Sequence, residues 1–296
     1  LAINGIKVND INQAARLLNR AGREPQKSIL LTILRDEKQK TITVTPLYSD
    51  LDGGYRIGLY IRDSAAGVGT LSFYDPATKR YGALGHIIVD ADTNKPVNIQ
   101  DGNIVKAKII NIKTALRGKP GEKTGIFIDQ DSFKGNIDQN TPYGIFGQLE
   151  SFHPTGKAIP MALTTQVETG PAEMLTVIEG ETIGSFQVVI ERLSPQTKPS
   201  DKGFILKVVD EKLLSSTGGI VQGMSGSPII QHGRIVGAVT HVFINDPTRG
   251  YGIFIEWMYQ QAVDSGESKQ ETGRMKQGET GRPNPERTER RQKLAG

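Results

Sequence analysis

The stretch Gly223-Met224-Ser225-Gly226-Ser227-Pro228 constrains this chain more than any other. A serine set between glycines, closed by a proline and followed by Ile229-Ile230, asks for a tight turn that feeds a strand. Glycine on both sides lets the backbone bend and lets another molecule come close. On such a turn neighbouring backbone N–H groups can point at one spot and hold an oxygen as it becomes negative. Gly-x-Ser-Gly alone is more often a plain turn between strands, so the flanks decide. Pro228-Ile229-Ile230 leaves the turn as a strand, His232-Gly233 makes a hairpin, and Ile235–Thr240 returns as a second strand. Tyr251–Ile255 reads as a last barrel strand and Glu256–Ala262 as a closing helix.

That order resembles chymotrypsin-like serine proteases: a Gly-x-Ser-Gly-Gly-Pro turn, a strand, a short glycine hairpin, then a strand beside the specificity pocket. The resemblance implies Ser225 as nucleophile and the N–H groups of Gly223 and Ser225 as oxyanion hole. By the same alignment Gly219 lies at the base of a substrate pocket, with Thr240, His241 and Gly252 along its walls. No acid stands at that base, so selection for Lys or Arg is not indicated. Met224 replaces the aspartate with which digestive proteases trap a new N-terminus, so activation by N-terminal insertion is not expected.

The rest of the chain supports a mainly β protein. Its 34 glycines and 15 prolines punctuate many short β-branched runs, which favours a sandwich or barrel over repeated βαβ units. Residues 48–262 supply the strands for two packed barrels, with Asp52-Gly53-Gly54 breaking them from residues 1–47. In that first segment Asp10 can cap a helix from Ile11 to Ala21, Gly22 ends it, and Ile29–Leu34 and Thr41–Leu47 read as strands. "LAINGIKVND" with this helix resembles the C-terminal part of a PDZ domain of bacterial proteases, a peptide-binding module; its carboxylate-binding strand is expected before Leu1. Residues 263–296 are charged and nearly free of large apolar groups, so they are expected to be disordered. No run reaches the ~18 apolar residues of a membrane span, and no signal pattern is present. The absence of cysteine excludes disulfides, thiolate catalysis and cysteine metal sites. The net charge of +4 is modest and much of the basic character sits in the tail, so no nucleic-acid partner is expected.

Serine chemistry needs a base and a group that orients it. Of four histidines, His86 lies well upstream of Ser225 within a strand at a glycine-rich bend and is the candidate base. His153 reads as surface, His232 as a hairpin tip, and His241 as a residue of the cleft. Between His86 and Ser225 lie Asp90, Asp92, Asp101, Asp129, Asp131, Asp138, Asp201 and Asp210. Most sit in turns, where aspartate is common, while Asp210 ends the apolar strand Phe204–Val209; chemistry alone leaves the acid open.

"GALGH", "ILKVVDEKLL", "TGGIVQGMSGSPII" and "GRIVGAVTHVFINDPTRGYGIFIEWM" together resemble the stage IV sporulation protein B family of serine endopeptidases. The resemblance spans nearly everything but the tail. It implies a chymotrypsin-like double β-barrel preceded by a partial PDZ domain, a His86–Asp210–Ser225 triad, and no metal or organic cofactor. Asp210 lies unusually near the serine for this fold, so Asp129, Asp131 and Asp138 stand as fallbacks. The resemblance further implies export from the forespore into the space between the forespore membranes, with membrane association through an upstream segment. There the family cleaves itself and a regulatory membrane-protein partner, which activates an intramembrane protease and matures a mother-cell sigma factor. The competing expectation is a catalytically latent PDZ/protease-like scaffold in a membrane-associated signalling complex.

Overall fold

The computed structural model describes residues 1–264 apart from 25–27, 36–37, 60–63, 100, 129–132, 153 and 155. His153, Asp129, Asp131 and nearly all of the expected tail therefore lie outside the described residues. The chain divides into two compact units, Leu1–Gly67 and Val68–Gly296.

The first unit is a four-stranded antiparallel sheet and one helix. Strands β1 (Ala2–Ile3), β2 (Ile6–Lys7), β3 (Ile29–Arg35) and β4 (Lys38–Val44) stand in the order β2-β1-β3-β4. Helix α1 (Ile11–Gly22) starts at Asp10, whose carboxylate accepts the Gln13 N–H at 2.7 Å. That bond satisfies one of the N–H groups a helix start leaves over. Ala14, Leu18 and Ala21 then fall on one face and pack on Ile3, Ile29 and Leu31. A hairpin of β5 (Leu47–Ser49) and β6 (Gly54–Arg56) belongs to this unit and not to the next, against a boundary expected after residue 47. Asn19 of α1 accepts the Tyr55 N–H at 2.7 Å, and the Tyr55 ring occupies the space a side chain at Gly22 would need.

The second unit is mainly β. Its first half holds β7 (Leu71–Tyr74), β8 (Arg80–Ala83), β9 (Asn103–Lys113), β10 (Glu122–Ile128), β11 (Lys134–Asn136), β12 (Gln139–Thr141) and β13 (Gly144–Ser151). These form a sheet in the order β10-β9-β11-β13-β8-β7, with β12 paired to β13. Among the described residues this sheet is a half-barrel, the first of the two barrels expected from the strand count. It encloses Tyr81, Ala83, Ile145 and Leu149, and the nearly buried Arg80 and Asp138 pair at 3.3 Å.

The second half closes completely. Strands β14 (Gly170–Val177), β15 (Ile183–Leu193), β16 (Phe204–Val208), β17 (Pro228–Gln231), β18 (Arg234–Phe243) and β19 (Asp246–Phe254) form a barrel in the order β14-β15-β16-β19-β18-β17. Strand alternation sends Phe186, Val188 and Ile190 of β15 and Phe204, Leu206 and Val208 of β16 into one core with Met174, Ile229 and Val236. Between β16 and β17 stands a short helix, α2 (Glu211–Thr217), at residues not expected to be helical. Ahead of β14 the chain makes a 3₁₀ turn at Thr164–Gln166. A helix α3 over 255–264 follows β19. Its Ile255, Met258 and Ala262 pack with Phe73 and Phe146 of the open sheet and Ala238 and Ile253 of the barrel, which joins the two halves. Among the described residues no helix is long and apolar enough to cross a membrane.

Candidate active site

The turn before β17 is held by nearly every backbone group it has. Met224 N–H donates to Val221 O, Gly226 N–H to Val239 O, and Ser227 N–H to Met224 O, all within 2.8–3.0 Å. From the opposite side Thr70 clamps both arms: its N–H donates to Ser225 O and its Oγ1 to Gly223 O, each at 3.0 Å. Gly226 adopts φ +90°, and a side chain there would collide with Thr70 O and the Leu84 backbone. Only glycine permits that approach, and it brings the Ser225 turn against the open sheet. Two donors remain unused. Among the described residues no acceptor takes the Gly223 or Ser225 N–H.

Ser225 is half-buried, and its Oγ donates to Thr240 O at 3.1 Å. Ser227, the other hydroxyl on the turn, is fully buried and donates to Thr176 Oγ1 at 3.0 Å, out of reach of any substrate.

His86 comes to this place through a kink. The strand expected to carry His86 stops at Ala83, where Leu84 (φ +69°) and Gly85 (φ +70°) both turn left-handed. A side chain at Gly85 would sit 2.9 Å from Thr240 Cγ2, so the kink lies directly on β18 and sets His86 beside the Thr240–His241 step. His86 Nδ1 lies 2.9 Å from Ile87 O. A carbonyl only accepts, so Nδ1 carries the proton and, in the neutral ring, Nε2 keeps the lone pair. That is the tautomer a general base needs. The His86 and His241 rings stand 5.1 Å apart at 42°. Among the described residues the Ser225 hydroxyl bonds to Thr240 O and not to His86. Free enzymes commonly leave this bond loose until substrate arrives.

The acid departs from expectation. Asp210 is the N-cap of α2: its carboxylate accepts the Leu213 N–H at 2.9 Å and the Gln187 N–H at 3.2 Å. Phe204, at the other end of β16, pairs with Gly252, which pairs with Val239 next to Thr240. Asp210 follows Phe204 by six residues, or roughly 20 Å of extended chain, so the barrel carries it away from His86. Asp138 is taken by Arg80 in the open sheet. Asp201, in the connection between β15 and β16, reaches the site through Thr240 and His241. Thr240 Oγ1 donates to Asp201 O at 3.0 Å, and Asp201 Oδ2 stands 3.8 Å from His241 Nδ1. Burial, then the adjacent His86, holds the His241 imidazole below its ordinary range; Asp201 pulls the other way and Lys202 adds to the lowering.

The pocket residues separate into two groups. Thr240 meets the Ser225 turn and is buried, while His241 stands beside His86 and is about half exposed, at 45%. Gly219 (φ +133°) is pressed against the backbone at Pro247–Thr248, at the start of β19. Gly252 does not line a cleft: the space beside its Cα is filled by the buried Phe204 ring, so it faces the barrel interior. Sequence reasoning missed Thr70 and the carbonyl of Ile87, neither of which carries a motif.

Comparison with known proteins gives this site a context. The model of the family described as SpoIVB peptidase S55 matches residues 53–259. Among solved structures, the active form of the Rv3671c protease from M. tuberculosis is 15% identical with a TM-score of 0.32, over 70% of this chain and 93% of that one. An inactive form of the Rv3671c protease is 14% identical with a TM-score of 0.31, over 52% and 86%. The HtrA-type protease AlgW with a decapeptide is 12% identical with a TM-score of 0.33, over 63% and 53%. Comparison with curated proteins finds no match.

Proposed function

Because the chain belongs to the SpoIVB peptidase S55 family, and is thereby a serine peptidase, we propose that it is a sporulation-signalling endopeptidase that cuts itself and a regulatory membrane-protein partner. In this reading the cut activates an intramembrane protease and leads to maturation of a mother-cell sigma factor. The protein acts in the space between the forespore membranes. The first unit serves as a PDZ-type peptide contact.

The observation that carries the endopeptidase assignment is the turn itself. The accessible hydroxyl of Ser225 stands on the same four residues as the two unclaimed N–H groups of Gly223 and Ser225. His86, with its lone pair at Nε2, takes the Ser225 proton as Oγ attacks a peptide carbonyl. The Gly223 and Ser225 N–H groups hold the oxyanion. His86 passes its proton to the leaving amine, and water then releases the acyl group. Ile87 O does the orienting work at Nδ1, and Asp201 supplies the nearby negative charge through His241.

One observation favours the latent-scaffold alternative: the Ser225 hydroxyl is bonded to Thr240 O. A fluorophosphonate probe separates the two readings. Covalent labelling of the wild-type chain that disappears in Ser225→Ala supports the peptidase. A folded wild-type chain that stays unlabelled supports the scaffold.

A further inference from the structure

Beneath the Ser225 turn lies a lysine that proteolysis as described above does not use. Lys123 of β10 donates its N–H to Gln222 O at 2.9 Å, and its stem runs under Gly223. A Cβ on Gly223 would sit 3.1, 3.3 and 3.4 Å from the lysine's Cβ, Cδ and Cγ. The residue is 4% exposed. Its Nζ donates to Thr176 Oγ1 at 2.8 Å, and the same oxygen accepts from Ser227 Oγ. A hydroxyl oxygen has two lone pairs, and both are filled here. One amino group thus ties Gly223, through its stem, to Ser227, through Thr176.

Among the described residues no carboxylate pairs with its Nζ. On its own strand Glu122 lies opposite Lys113 of β9 in the ladder. On β14 Glu173 accepts from Ser185. Residues 221–227 carry no titratable side chain. Burial alone lowers the Lys123 ammonium from 10.5 to about 7. An unpaired buried ammonium is a net cost to folding, so its presence under a reactive turn asks for a use.

Resting on the serine-peptidase reading, we propose that Lys123 is a positioning residue of the oxyanion turn: its stem fixes Gly223, and its ammonium places positive charge behind the Gly223 and Ser225 N–H groups as the bound oxygen turns negative. A charge held in a dry interior acts over several ångströms with little screening. It favours the transition state over the ground state because the negative charge exists only in the former. The effect requires the protonated lysine, so it fades as pH rises and the amine becomes neutral.

The test is the rate of fluorophosphonate reaction with the whole chain from about pH 5.5 to about pH 9.5 in wild type, Lys123→Met, Thr176→Val and Thr176→Ser. Methionine keeps the length and packing of the stem and removes the charge. We expect Lys123→Met to react about tenfold more slowly below neutrality, less than the loss of a direct oxyanion donor costs, and to converge on wild type at the alkaline end. Thr176→Val, which removes the acceptor of Nζ with little change in shape, slows the reaction in the same pH-dependent way, and Thr176→Ser restores the wild-type profile. A deficit equal at every pH, or none at all, overturns the inference and leaves the nucleophile standing. A wild-type chain that reacts no faster than Ser225→Ala overturns the serine-peptidase reading and the inference with it.

Discussion

At the residue scale, the turn distinguishes its two serines by what their hydroxyls touch. Ser225 Oγ is half-open and bonded to one carbonyl; Ser227 Oγ is sealed against Thr176. Ser227→Ala is therefore expected to remain labelled by a fluorophosphonate while losing about 1 kcal/mol of stability, the usual net worth of a buried hydrogen bond. Intact-mass spectrometry and a urea titration check the two halves, and an unlabelled but folded Ser227→Ala would shift the nucleophile by two residues. The aspartates separate similarly. Asp201 shares Thr240 and His241 with the site, so Asp201→Asn is expected to slow labelling about tenfold, less than the loss of a directly bonded triad carboxylate. If Asp201→Asn reacts at the wild-type rate, Ile87 O orients His86 unaided.

At the element scale, α2 explains why Asp210 looks like an active-site acid in the sequence and does not stand as one. An aspartate at the end of an apolar strand can be a buried carboxylate or the first residue of a helix, and periodicity does not distinguish them over the seven residues Glu211–Thr217. The structure resolves the ambiguity through the bond from Leu213 N–H. Asparagine caps as well as aspartate, and alanine does not. Asp210→Asn is therefore expected to keep near-wild-type labelling and stability, and Asp210→Ala to lose about 1 kcal/mol with its labelling rate retained. A loss of orders of magnitude in Asp210→Asn would return Asp210 to the triad. The hairpin at His232-Gly233 and the alternating runs of β15, β16 and β18 were legible because strand period and turn chemistry agree there. The kink at Leu84-Gly85 was not, since a left-handed leucine has no local signal; it shows only in the fold, where Gly226 approaches the Leu84 backbone and Gly85 lies against Thr240 and Val239.

At the scale of the whole molecule, Lys123 couples the reactive turn to folding. Its ammonium titrates near 7 in the folded state and at 10.5 when the chain is unfolded. Between those values the unfolded chain binds more protons than the native one, so native stability rises with pH through this window. Below about pH 7 the lysine is charged in both states and the folded protein bears the whole cost of burying it, up to about 5 kcal/mol at the usual conversion. Lys123→Met removes that cost. The variant is expected to be more stable than wild type at pH 6, with the difference shrinking as pH rises and nearly gone by about pH 10.5. Urea titrations of both proteins at several pH values measure it. A methionine variant less stable than wild type at every pH would show that the ammonium is satisfied in a way its single bond to Thr176 does not account for. A variant that is more stable and slower below neutrality would show that this unit gives up folding free energy to keep a charge behind its oxyanion turn, a trade that active sites make where reactivity and stability conflict.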